Sequence, residues 1–133
     1  MYDNLLDDIE AIFASSNWTD NNINIYPDNY QGTIDTENEF CRLNILPSSS
    51  EYYSHGGNKQ LEGIIVIKIF VKAGEGQARL MAISDILDAT LQSKHLTNGT
   101  KLETSYLNVE GLDPSNKSLY SARYIIPFKL YGE

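Results

Sequence analysis

The chain has 133 residues, 41% hydrophobic and 21% charged, with a formal net charge of −8 and one cysteine. That length suits a single domain over residues 1–133 with a real core. No apolar run approaches the roughly 18 residues of a membrane span, and an N-terminus carrying Asp3, Asp7, Asp8 and Glu10 does not read as a signal peptide. Cys41 alone excludes an internal disulfide and points to a cytosolic folding environment.

Charge is unevenly spread. From Met1 to Glu39 there are nine acids and no Lys or Arg, whereas the remainder holds ten basic and nine acidic residues. Phosphate backbones are bound by Lys and Arg that displace counterions, so the first third does not read as a nucleic-acid surface. It suits solubility, or a wall along which DNA passes without adhering.

In chain order, Leu5, Leu6, Ile9, Ile12 and Phe13 recur at helical spacing, and predict a helix over Tyr2 to Ala14 that Ser15, Ser16 and Asn17 end. Its early acids complement the positive end of the helix dipole. Ile23 to Tyr26 is a short strand stopping before Pro27, and Asp28 to Glu39 is a polar loop. Phe40 to Leu46 alternates as a strand, with Cys41, Leu43 and Ile45 on one face and Arg42 and Asn44 on the other. Arg42 is expected to pair with an acid, within the subunit or across an interface.

The connection from Pro47 to Gly63 is long for a hairpin. Either the flanking strands run on into it as an arm, or Ser48 to Gln60 is mobile until a partner orders it, with Tyr52 and Tyr53 as anchors. Ile64 to Val71 is apolar on both faces, which suits a central strand.

The Gly74-Glu75-Gly76 turn follows, before a helix predicted from Gln77 to about Ser93. Strand, Gly-rich turn and helix in that order resemble a phosphate-binding loop. However, no Lys-Ser or Lys-Thr opens the helix, and Arg79 stands where a dinucleotide fingerprint needs its third Gly. Glu75 would also repel phosphate. The glycines read instead as suppliers of positive φ. Lys101 to Ser105 is a short strand. Leu119 to Tyr131 is the clearest one, where Pro127 calls for an edge or a bulge. Together these predict an α+β fold, a mostly antiparallel sheet with two helices packed on one face.

Residues for catalysis or metal binding are not arranged in any recognisable spacing. His55 and His95 stand in no ligand spacing with Cys41, and Ser54-His55 is not a triad signature. Asp85 and Asp88, three apart on a helix, read as a solvated face. We therefore expect no enzyme activity, no metal and no cofactor.

The order of these parts resembles the tail terminator (tail completion) proteins of long-tailed bacteriophages. The resemblance rests on the N-terminal helix, Trp18, the Tyr26-Pro27-Asp28 turn and Phe40 to Pro47 (FCRLNILP). It continues through the Ser/Gly/His loop, Gly63 to Gln77 (GIIVIKIFVKAGEGQ), the second helix, and Tyr120 to Gly132 (YSARYIIPFKLYG). It implies a structural subunit that assembles with itself, typically as a hexameric ring, on the end of the tail tube. Its other partners would be the tube protein and a head-completion or connector protein, with DNA passing through the hole unbound. Its place would be the virion's head–tail junction, after assembly in the host cytoplasm. The candidate interface residues are Arg42, Tyr52, Tyr53, His55 and Lys59. The alternatives are a small-ligand or nucleotide-binding domain using the Gly74–Gly76 turn, another phage neck or head-completion protein, or an acidic DNA mimic.

Overall fold

The computed structural model describes residues 2–27, 29–33, 38–52, 59–74, 77–91, 95–96, 99–114 and 117–132. Helix α1 (Tyr2–Phe13) is followed by the one-turn α2 (Ser16–Thr19). Strands β1 (Asn24–Pro27), β2 (Phe40–Tyr52) and β3 (Lys59–Lys72) lead into helix α3 (Ala78–Leu91). The chain closes with β4 (Thr100–Leu102), β5 (Tyr106–Leu112) and β6 (Leu119–Gly132). The fold is α+β, as expected, and the two longer helices share one face of the sheet.

The sheet has the order β1-β2-β3-β6-β4, and β5 also pairs with β6. Every pairing is antiparallel except β1 with β2, so the sheet is mixed. The polar stretch between β1 and β2 is long enough to return the chain to the same end of the sheet. That allows a parallel pair without a crossover helix.

Odd-numbered residues of β3 face the helices: Leu61, Ile65, Ile67, Ile69 and Val71 are buried there. They meet Leu5, Ile9 and Phe13 of α1 and Leu80, Ile83, Leu87 and Leu91 of α3 in one core. The i, i+3, i+4 spacing read in both helices is the cause, since it gathers the apolar side chains on one stripe. Cys41, Leu43 and Ile45 lie opposite Ile69, Ile67 and Ile65 in register, which puts Arg42 on the other face as predicted.

Three details differ from the sequence reading. The first helix ends where expected, but the residues that end it also open α2, which was not anticipated, and Trp18 within it is 2% exposed and meets Phe13 edge-on at 5.1 Å. The expected strand Lys101 to Ser105 stops at Leu102, and β5 was not anticipated. Its apolar alternation (Leu107, Val109) was present, but Asn108, Glu110 and Gly111 have poor strand propensity. Strand β6 is interior and its register with β3 passes through Pro127 without a bulge, so neither expected device is present; the neighbouring strand is interrupted there instead. The Pro127 carbonyl accepts from the Glu103 amide at 3.0 Å. Its nitrogen, on the same side of the strand, therefore faces the gap between β4 and β5, where no donor is needed. The long connection follows the first of its two readings, in which the flanking strands run on: β2 runs to Tyr52 and β3 starts at Lys59. Backbone pairing holds this segment, Ser50 opposite Leu61 and Leu61 opposite Leu130.

Asp88 is not the solvated acid expected of it. Its Oδ1 accepts from the Tyr124 hydroxyl at 2.6 Å and the Ser105 hydroxyl at 2.5 Å. This ties α3 to β6 and to the joint between β4 and β5. Replacing Asp88 by Ala leaves two hydroxyls without their acceptor and is expected to cost about 2 kcal/mol. Urea denaturation measures it; a loss under about 0.5 kcal/mol, the level of an ordinary surface change, would refute this account.

Burial pushes the Cys41 thiol well above its ordinary value of 9.0, with the nearby Glu39 charge adding to it. Burial, then the hydrogen bond to Asp88, likewise raises Tyr124 above its ordinary value of 10.0. Both folded-state values are raised, so the stability these groups contribute is complete below their ordinary values and is lost as pH rises. Only the unfolded chain ionises them, at up to about 1.4 kcal/mol per pH unit each. Stability is expected to fall by about 2 kcal/mol between pH 7 and pH 10. A urea midpoint that stays level over that range would contradict this.

Candidate functional site

The sheet face away from the helices is the surface that most needs explanation. No helix among the described residues packs on it. Register places Arg42 opposite Lys68, Lys68 opposite Arg123, and Arg123 opposite Asn108. Three cations thus form one row across three adjacent strands. Like charges directly opposite each other on a sheet are unfavourable, so the row calls for an acidic counterpart. One is internal: Glu110 reaches Lys68 at 3.7 Å. Arg123 makes no ion pair among the described residues.

Lys72, Lys101 and Lys129 lie on the same face by strand alternation. With the row, that face holds six of the chain's ten Lys and Arg residues. Lys129 sits between Glu62 at 3.8 Å and Glu103 at 3.7 Å. The helix layer is the opposite: α1 to α3 carry Asp3, Asp7, Asp8, Glu10, Asp85 and Asp88 against Arg79 alone. Arg79 is held by Glu39 at 2.5 Å. The domain is therefore polarised, acidic on its helices and cationic on its bare sheet.

The bare face is apolar between its charges. Phe40 and Phe70 stack at 4.7 Å with Leu119 beside them, and Tyr26 packs against the group. The Lys68 ammonium lies 5.3 Å from the Phe70 ring centre. The next row is Asn44, Val66, Ile125 and Tyr106. Tyr106 is 54% exposed, and Leu46 on the same face is 39% exposed.

Two further features border this face. Past the buried pair Leu61 and Leu130, β2, β3 and β6 stay paired as a three-stranded arm, with Tyr52 opposite Lys59 and Lys59 opposite Gly132. Along the outer edge of the sheet, β1 covers β2 only from Phe40 to Leu43. From Asn44 onward that edge carries no strand among the described residues. Pro47, which has no amide donor, and the register shift after it blunt the edge. Beside it a groove of about 540 Å³ opens between α1 and the β1–β2 edge, lined by Leu6, Phe13, Ile25, Leu43 and Ile45 among others.

Of the five residues singled out by sequence, Arg42 is half-buried in the cation row. Tyr52 and Lys59 lie at the end of the arm, while Tyr53 and His55 lie outside the described residues. Sequence reading missed Lys68 and Arg123, which became partners of Arg42 only through strand register. A lone Lys in an apolar strand and a lone Arg in an alternating one were the available signals. At the glycine turn, Gly74 has φ +90°, as expected of it; Gly76 lies outside the described residues. A cleft there is bordered by Gly74, Gln77, Leu112 and Tyr120, and the Gln77 amide donates to the Tyr120 hydroxyl at 3.0 Å.

No protein-family model matches the sequence, and no curated protein is similar to it. A solved structure whose name carries no functional description superposes with a TM-score of 0.70 at 12% identity. The match covers 98% of this chain and 95% of that one. Likeness at that identity concerns the fold.

Proposed function

We propose that this chain is a structural subunit of a long-tailed phage, a tail terminator that closes the finished tube as a ring and presents a surface to the head. The observation that carries the reading is the one-sided construction of the domain. A sheet with helices on one face only leaves the other bare, here a surface of cations with Tyr106 and Leu46 exposed among them, suited to another protein chain. The projecting arm gives reach toward a neighbour or the tube. The family resemblance noted in the order of the sequence's parts supports the same reading.

The test is tube assembly. Purified tube protein polymerises with and without this chain, and tube lengths are measured by electron microscopy. Substoichiometric addition is expected to halt elongation, and complementation of a terminator-deficient phage is expected to restore head-joined tails of normal length. Unchanged tube lengths together with failed complementation would sink the proposal. The small-ligand reading is addressed by calorimetric titration with ATP, GTP and NAD. Saturable binding tighter than about 100 μM, roughly −5.5 kcal/mol, would favour it.

A further inference from the structure

We propose that the bare sheet face docks the acidic helix layer of a second copy of this chain, α1 of one subunit lying on the Arg42–Lys68–Arg123 row of the next. The inference rests on the self-assembly part of the reading above and goes beyond it by naming the two surfaces that meet.

Charge complementarity selects the occupant. Asp3, Asp7 and Glu10 follow one another at near-helical spacing on the solvent side of α1, and all three are exposed. Among the described residues, Asp3 and Asp7 have no cationic partner. Across the domain, Arg123 of the cation row likewise makes no ion pair among the described residues. Each surface supplies what the other lacks. A subunit carrying both, on opposite sides, meets its neighbour head-to-tail, and such contacts propagate until a ring closes.

Apolar exposure is matched in the same way. The helix layer exposes Leu6 (44%) and Met81 (42%), and the sheet face exposes Leu46 and Tyr106. Leu6 lies among the acids of α1; Tyr106 and Leu46 border the row that follows the cations. Stacking one layer on the other would bury these side chains at the centre of the contact with the charges around them, the usual anatomy of a protein interface. Duplex DNA fits the face less well. Glu62, Glu103 and Glu110 stand among the cations, and the apolar row has no use for a phosphate backbone.

Two reversal variants separate the surfaces. K68E/R123E inverts the sheet row, and D7K/E10K inverts the solvent side of α1. Sedimentation velocity is run up to about 1 mM, where a contact of only about 4 kcal/mol already associates. The wild type is expected to form species larger than the 15.0 kDa subunit. Each variant alone should associate at least about tenfold more weakly, since opposed charges are replaced by like ones. An equimolar mixture should assemble again as alternating copies of the two variants, because the sheet of each meets the helix layer of the other with opposite charges. All four changes in one chain should restore assembly, with the charges exchanged.

Circular dichroism and melting check that each variant folds. If K68E/R123E does not, R123Q replaces it, and D7K/E10K on an exposed helix surface carries the test independently. A wild type that stays monomeric at about 1 mM would overturn the inference. So would a variant that assembles like the wild type, or a mixture that remains monomeric. Binding of duplex DNA that is lost in K68E/R123E, without self-association, would assign the face to nucleic acid and also overturn it. If the chain assembles through these surfaces yet fails to stop tube growth, the inference stands and the proposed function falls.

Discussion

Replacing Trp18 with alanine is expected to destabilise the fold by about 3–5 kcal/mol, the range for a large aromatic removed from a core. Trp18 is 2% exposed on a single turn of helix, with Phe13 edge-on against it. That turn joins α1 to β1, so the ring closes the end of the core where two elements meet. Collapse around the vacancy is limited, because Ile9 and Ile23 of the same core are themselves buried. A loss of this size is a large share of the roughly 5–15 kcal/mol that holds a typical domain together. Trp18 is the chain's one tryptophan, so unfolding has to be followed by circular dichroism in urea. A shift equivalent to less than about 1 kcal/mol would mean that the indole is not part of the core.

The second large effect is expected at Gly63, where alanine should cost about 3 kcal/mol, the upper part of the usual range for overpacking. A Cβ there would lie 2.4 Å from the Leu46 carbonyl oxygen, 2.8 Å from Pro47 Cα and 2.9 Å from the Phe128 ring. Two of those atoms are backbone in the adjacent strand, so relief requires β2 and β3 to separate. Phe128 lies directly opposite Gly63 in register and is 1% exposed. Its ring occupies the space that a side chain would have taken. Pro47 faces Gly63 where the β2 register shifts, so the close approach and the irregularity belong together. The measurement is again urea denaturation of G63A, with G74A as the contrast. Nothing lies within 4 Å of a Cβ built at Gly74, so the cost there comes only from its positive φ and should be about 1 kcal/mol. If the two variants were equally stable, crowding at Gly63 would not be the reason for the glycine.

The same residues show what was legible beforehand. The apolar spacing of α1 and α3 and the alternation of β2 and β6 depend on neighbours within a few positions; α1, α3 and β6 were read within two residues of their limits, and β2 from its start but six residues short of its end. The face on which Arg42 lies was read too, because strand alternation alone decides it. Gly63 was read only as the start of an apolar strand; its crowding depends on Leu46 and Phe128, which strand pairing delivers. Asp88 was read as solvated because its helix position says nothing of Tyr124, and β5 was passed over because its pairing with β6 outweighs the poor propensity of Asn108, Glu110 and Gly111.

By itself, then, the sequence determined the α+β class, the two helices with their buried stripes, the central apolar strand and the acidic character of the first third. These are properties of period and composition, carried by residues close together in the chain. Only the tertiary structure decided the strand order, the parallel pairing of β1, the arm made by β2, β3 and β6, and the gathering of Arg42, Lys68 and Arg123 into one row. Each of these requires a register between distant segments. Register is set by how a whole face fits its core, since a slip of one residue would turn every side chain of a strand to the opposite side.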